Sequence, residues 1–207
     1  FKLTPYRRYL ASQNDQMEAD HNQFTISSVV KFLENYDFTV TFYDNSFHRN
    51  WYKLNKVNNQ SIGSILISDN LNEDNYQLLF AEETEDDIFE VKANNRLYYS
   101  RGIQSIFRSN LKLFGSSHNI LFGTRFHKDE MDRYQWADLY KMNDRKLFMT
   151  TQGLKGAGSK NNRLYSASAN SIFIEDELSL NKLLVSLGAR YEKIHLKRQD
   201  WGNDLER

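Results

Sequence analysis

The chain of 207 residues has no cysteine, a single proline, no net charge and no long apolar run. Without cysteine there is no disulfide scaffold, no thiolate metal site and no thiol nucleophile. The compartment stays open, because many exported proteins carry no disulfide. Lys and Arg number 27 and Asp and Glu number 27, and the pI is about 7.2. No global basic field therefore draws the chain to nucleic acid or to an anionic membrane surface. Apolar residues make up 40% and the mean hydropathy is −0.71. The apolar runs are far shorter than the roughly 20 residues a membrane-spanning helix needs. The chain opens at Phe1 with neither Met nor an apolar leader, so it reads as processed or as a fragment.

Aromatic residues, by contrast, are plentiful: 12 Tyr, 14 Phe and 3 Trp, a composition that suits strands, interfaces and aromatic girdles. Alternation of apolar and polar residues predicts strands over much of the chain. "HNQFTISSVVKF" (21–32) is rich in β-branched and aromatic residues. It is followed by "FTVTFYDNSFHRNWYKL" (38–54), in which Phe38, Val40 and Phe42 oppose Thr39, Thr41 and Tyr43. That alternation slips at Phe47 and Trp51, which predicts either a bulge near Tyr43–Asn45 or a change of surroundings. In "YSRGIQSIFRSNLKLF" (99–114) Tyr99, Ile103, Phe107, Leu111 and Leu113 share one face, with Gln104 and Arg108 on the other. "ILFGTRFHKDE" (120–130) sets Ile120, Phe122 and Phe126 against Arg125 and His127. "LVSLGARYEKI" (184–194) sets Leu187 and Ala189 against Arg190 and Glu192.

Three hairpins follow, turning at Leu33–Asp37, Gly115–Asn119 and Glu177–Lys182, with long polar connections between them. The fold class is all-β: an antiparallel up-and-down meander of about six strands, each of about 10 residues. Loops are expected at about 1–19, 56–95 and 132–162. The stretch 71–91 carries eight acidic residues and reads as solvated, with a short helix at Tyr76–Ala81. Strands with one apolar and one charged face suit a transmembrane barrel around a wet lumen. A soluble antiparallel sandwich also alternates, although compact soluble domains seldom carry connections of 30 to 40 residues.

Five segments sharpen the choice: "TPYRRYLASQNDQM" (4–17), "FHRNWYKLN" (47–55), "NRLYYSRGIQ" (95–104), "HNILFGTRFHKDEMDR" (118–133) and "LGARYEKI" (187–194). In this order they resemble the barrel of TonB-dependent outer-membrane receptors, and among them the ferric-dicitrate-type branch. The resemblance covers essentially all of residues 1–207. It implies part of a 22-strand barrel in the outer membrane of a Gram-negative bacterium, facing its lipid. A complete receptor of this kind imports a ferric chelate, driven by the inner-membrane TonB complex through a plug and TonB box. Neither is present in this sequence, and six strands cannot close when small barrels use about eight. The alternatives are a soluble β-rich carbohydrate-binding domain and a passive porin-like channel.

No catalytic constellation, cofactor site or nucleic-acid surface is expected. "GLKGAGSK" (153–160) lacks the Gly-Lys-Ser/Thr order of a phosphate loop and reads as a basic loop. The five His are scattered without zinc spacing, and the polar group His127, Asp129, Glu130 and Asp132 reads as a charged rim. Arginine is the informative residue, since a ferric dicitrate is anionic and a guanidinium takes carboxylates bidentately. Arg49 is the leading contact, at the loop end of its strand beside Asn50 and Trp51. Arg7 and Arg8 in the first loop and Arg101 at a strand end are the other candidates. Parity sets Arg101 with Tyr99 and Ile103, on the outward face.

Overall fold

A computed structural model describes residues 9–68, 73–155, 158–180 and 182–202. Six long strands form the molecule: β1 (Gln16–Phe32), β2 (Tyr36–Val57), β4 (Phe89–Leu113), β5 (Ser116–Asn143), β7 (Asn161–Leu180) and β8 (Leu183–Asp200). Two short ones, β3 (Gln60–Ser61) and β6 (Lys146–Thr151), pair with the ends of β2 and β5. All eight lie in one antiparallel sheet in the order β1-β2-β4-β5-β7-β8. The sequential meander is as expected, and the strands do not divide into the two packed sheets of a sandwich.

The long strands run 17 to 28 residues rather than about 10. At one end they are joined by tight turns. Phe114 and Gly115 both have positive φ there, as do Asp144 and Arg145 in the β5–β6 turn at the opposite end of β5. Successive positive φ values match the right-handed twist of the strands that such a turn joins. At the other end the strands outrun the expected loops. β1 begins at Gln16, β2 continues to Val57, and β4 starts at Phe89. β5 passes through 132–143 to a hairpin with β6, which ends at Thr151, nine residues before β7 begins at Asn161. Alternation in 134–142 is interrupted by Asp138, which hides the strand. That carboxylate is satisfied by the Tyr52 hydroxyl at 2.6 Å and the Gly153 amide at 2.7 Å.

Register runs unbroken through Tyr43–Asn45, so no bulge lies there. The shift on β2 falls instead between Leu54 and Lys56. The slip in alternation is thus a change of surroundings. Phe47 lies on the polar face, stacked at 5.9 Å on Tyr98, where lower positions on that face are polar.

Cross-strand partners share a face, so the register separates two surfaces. One row reads Val30, Phe38, Phe107, Phe122, Ile174 and Ala189. Leu111, Ile120 and Leu187 lie on the same face. Gln104, Arg108, Arg125, Arg190 and Glu192 lie on the other, as the alternation predicts. On the apolar face a belt runs from Leu113 to Ile103 on β4. Ten residues span roughly 33 Å along a strand, or about 24 Å of height at a tilt near 45°. Phe32, Tyr36 and Phe107 stack within it at 5.8 to 6.1 Å.

Beyond the belt, residues 58–68 and 73–88 fold over the same face. They carry α1 (Ile62–Ile67), α2 (Asp74–Gln77) and a 3-10 turn at Leu78–Phe80, near the predicted helix. Ile65 and Leu79 bury completely against Leu54, Val57, Phe89, Val91, Tyr140 and Met142. The acidic stretch is held to the β5–β6 hairpin by Lys141–Asp86 at 2.8 Å and by Arg145–Glu82.

Candidate functional site

The polar face is built of rows as well. Tyr43 meets His127 Nδ1 at 2.5 Å and accepts from Arg125, and His127 holds Asp129 at 2.7 Å. The cluster expected at 127–132 is split by parity, His127 and Asp129 on this face and Glu130 and Asp132 on the other. No group of metal ligands forms among the described residues.

Two rows further from the tight turns, the face changes character. Arg49 is opposite Arg96, Arg96 opposite Arg133, and Arg133 opposite Arg163, which is opposite Asp200. Four arginines thus stand in one line across β2, β4, β5 and β7. The line covers three inter-strand steps, roughly 14 Å. It lies well outside the belt, because Arg96 is seven residues beyond Ile103, roughly 23 Å along β4. Lys53 and Lys92 extend it toward the loops, with Asn55, Asn94 and Gln135 between them around a cavity of about 100 Å³.

Like charges directly opposite each other destabilise a sheet, and three such pairs are adjacent here. Among the described residues a carboxylate, Asp200, closes one end of the line. Asp200 takes Arg163 at 2.8 Å and also Arg198, and Glu90 takes Lys160 at 3.0 Å. Among the described residues no ion pair reaches Arg49, Arg96 or Arg133. They are held instead by neutral groups. Arg96 donates to Asn94 Oδ1 at 3.2 Å and to the Tyr98 hydroxyl at 3.2 Å. Arg133 donates to Gln135 Oε1 at 3.3 Å, and Gln135 in turn donates to Asn94. The Arg133 Nε is buried without a partner among the described residues.

The charges register on their neighbours. Burial, and then Arg96 and Arg163, hold the Arg133 guanidinium below its ordinary value. Burial, then Arg133, does the same to Lys92. Burial pushes the Tyr98 hydroxyl up, but hydrogen bonds from Arg96 and Arg49 outweigh it and the net shift is down. All three shifts report a surplus of positive charge in a partly dry place. A planar dianion or trianion would relieve it, and a guanidinium can give such an anion a two-point contact.

Arg49 lies in this line, eight residues before the end of β2 at Val57 rather than at the loop end of its strand. Arg101 does not join it. It lies on the opposite face, over the Tyr99 ring at 5.6 Å and opposite Lys128. Arg7 and Arg8 fall outside the described residues. Arg96, Arg133 and Arg163 were not singled out from the sequence, although part of their alignment is written there. Arg96 lies eighteen residues before Phe114 and Arg133 eighteen after Gly115, so the hairpin alone makes them partners.

Two solved structures share this architecture. The ferric citrate transporter FecA in its unliganded form aligns over 92% of this chain and 23% of its own, at TM-score 0.62 and 10% identity. BauA, the ferric preacinetobactin receptor from Acinetobacter baumannii, aligns over 88% and 25%, at TM-score 0.57 and 11% identity. At such identity the likeness is one of fold, and the chain spans about a quarter of each. No curated protein sequence matches the chain. The family model for the TonB dependent receptor-like β-barrel matches residues 2–205. A single meander of long strands, apolar on one face and polar on the other, is what that family builds, and the chain belongs to it.

Proposed function

We propose that this chain forms one side of the mouth of an outer-membrane importer of an anionic ferric chelate, energised by the inner-membrane TonB complex. The observation that carries the reading is the line of Arg49, Arg96, Arg133 and Arg163, whose middle members no carboxylate neutralises among the described residues. A channel that only sieves solutes has little use for three adjacent like-charge pairs, which cost stability unless an anion repays them. In this reading the ligand is bound and passed on unaltered. FecA is a ferric citrate transporter, and a ferric dicitrate has the carboxylates this line would take.

Titration of the full-length receptor with ferric dicitrate tests the proposal. Arg49→Ala and Arg133→Ala should each cost about 1.5–3 kcal/mol, the value of a charge-assisted contact. That is roughly ten- to a hundred-fold in affinity. Affinities that stay within twofold in both variants would remove the arginine line from the binding site.

A further inference from the structure

We infer a binding site for a phosphomonoester lipid headgroup on the apolar face of the sheet, just above the belt. It rests on that belt facing lipid and not on the arginine line. Ile103 and Phe126 are partners in the last apolar row of the belt on β4 and β5. In the next row Arg101 is opposite Lys128, Lys128 opposite Ser168, and Ser168 opposite His195. One row further, Glu130 is opposite Ser166, and Ser166 opposite Lys197. Arg101 and Lys128 each lie two residues beyond the belt, roughly 7 Å along the strand, or about 5 Å of height at a tilt near 45°. A headgroup layer is roughly 5 to 8 Å deep on each side of the hydrocarbon. The pair therefore stands at the depth of lipid phosphates. Tight turns mark the inner end of such a barrel, so the leaflet is the outer one.

Like charges directly opposite each other cost stability unless an anion joins them, and Arg101 and Lys128 are such a pair. Asp44 is the partner of Arg101 on β2, but the guanidinium lies instead over the Tyr99 ring at 5.6 Å. Among the described residues no ion pair reaches it, and Lys128 meets Glu130 only at 3.7 Å. A groove of about 240 Å³ opens on the same face, lined by Lys128, Ser166, Ser168, His195 and Lys197. Ammonium groups, hydroxyls and an imidazole give the oxygens of one phosphate donors on several sides. Charge says which phosphate. Lys193 stands in the belt's last row, opposite Asn170. Over these rows Arg101, Lys128, Lys193 and Lys197 stand against Asp44 and Glu130, a surplus of two cations. A phosphomonoester carries close to two negative charges at neutral pH, whereas a phosphodiester carries one. Arg101, Lys128 and both serines are on β4, β5 and β7, inside the sheet, so the centre of the site does not depend on what pairs with β8.

Native mass spectrometry of the full-length receptor in detergent micelles tests the site, with phosphatidic acid, phosphatidylglycerol and phosphatidylcholine as probes. Phosphatidic acid should bind at least about tenfold more tightly than phosphatidylcholine, the effect of one charge-assisted contact, with phosphatidylglycerol between them. In the Arg101→Ala/Lys128→Ala variant the ratio of the outer two should fall near one. A ratio does not depend on the fraction of variant that folds. Lys112→Ala/Lys146→Ala removes the same charge from the polar face and from the β5–β6 turn, and should leave the ratio within twofold. Equal affinities for the three lipids in the parent receptor, or an equal loss in both variants, would overturn the site. So would displacement of phosphatidic acid by an equal concentration of inorganic phosphate, since the groove would then take soluble anions. No chelate enters these measurements, so their failure and that of the arginine line are separate results.

Discussion

Arg133 is the arginine least provided for by its own protein. Its neighbours across the strands are Arg96 and Arg163, and its Nε has no partner among the described residues. Removing it should therefore relieve repulsion while it weakens ligand binding. Arg133→Ala is expected to hold or raise the melting temperature, and Arg133→Lys to restore charge without the bidentate contact. Thermal melts beside titrations check the pairing, and a variant that loses stability and keeps affinity would contradict it. Binding should also weaken steeply with salt, since the Debye length falls from about 10 Å at 0.1 M to about 3 Å at 1 M. Glu90 behaves oppositely. Burial raises its carboxyl, but hydrogen bonds from Lys160 and Asn55 outweigh this and hold it below its ordinary 4.5. Its folded value is depressed, so its contribution is complete above pH 4.5 and is lost as pH falls through the folded value. Glu90→Gln should flatten that part of an acid-unfolding curve, followed by fluorescence.

At the scale of elements, what was legible follows from the turns. A tight hairpin makes residues equidistant from it partners, but the turn expected at Gly115–Asn119 would set Arg96 opposite Asp138. β5 instead begins at Ser116, and that tighter turn is what pairs Arg96 with Arg133. The pairs Arg49–Arg96 and Arg133–Arg163 join strands across the loop end, where connection length does not fix register. The complete line appears only when the sheet is assembled. Alternation revealed both faces across the belt, from Ile103 to Phe126, because most positions there are apolar or polar as their face demands. It failed at 132–143, where Asp138 is buried among apolar residues with its own hydrogen bonds. The β2–β4 connection, in its residues 58–68 and 73–88, is an element in its own right. Leu79→Ala should cost about 2–5 kcal/mol of its local stability through the cavity left behind. Hydrogen exchange should then quicken within that connection and leave β4 and β5 protected; uniform loss across the sheet would show that the connection does not open separately.

For the whole molecule, the apolar belt sets the terms of stability. Phe107 and Phe122 are partners at its mid-height. Phe122→Arg should destabilise the receptor by about 2–4 kcal/mol in bilayers, the cost of a guanidinium facing lipid at mid-depth. Leu121→Arg, one residue away and on the polar face, should cost far less. Urea unfolding in vesicles distinguishes the two, and similar losses would mean that the faces are misassigned. Within the described sheet, β1 pairs only with β2 and β8 only with β7, so both edges are open to further strands.

The eighteen-residue distance from turn to arginine also bears on how such a receptor can change. An insertion of one residue between Gly115 and Arg133 would send that guanidinium to the opposite face, and an insertion of two would offset it by a full pleat, roughly 7 Å, from its neighbours. Changes beyond Arg133 toward the loops would leave it in line. Drift in length is thus tolerated on one side of the arginine line and penalised on the other, so lineages can exchange outer loops wholesale while the spacing beneath keeps time.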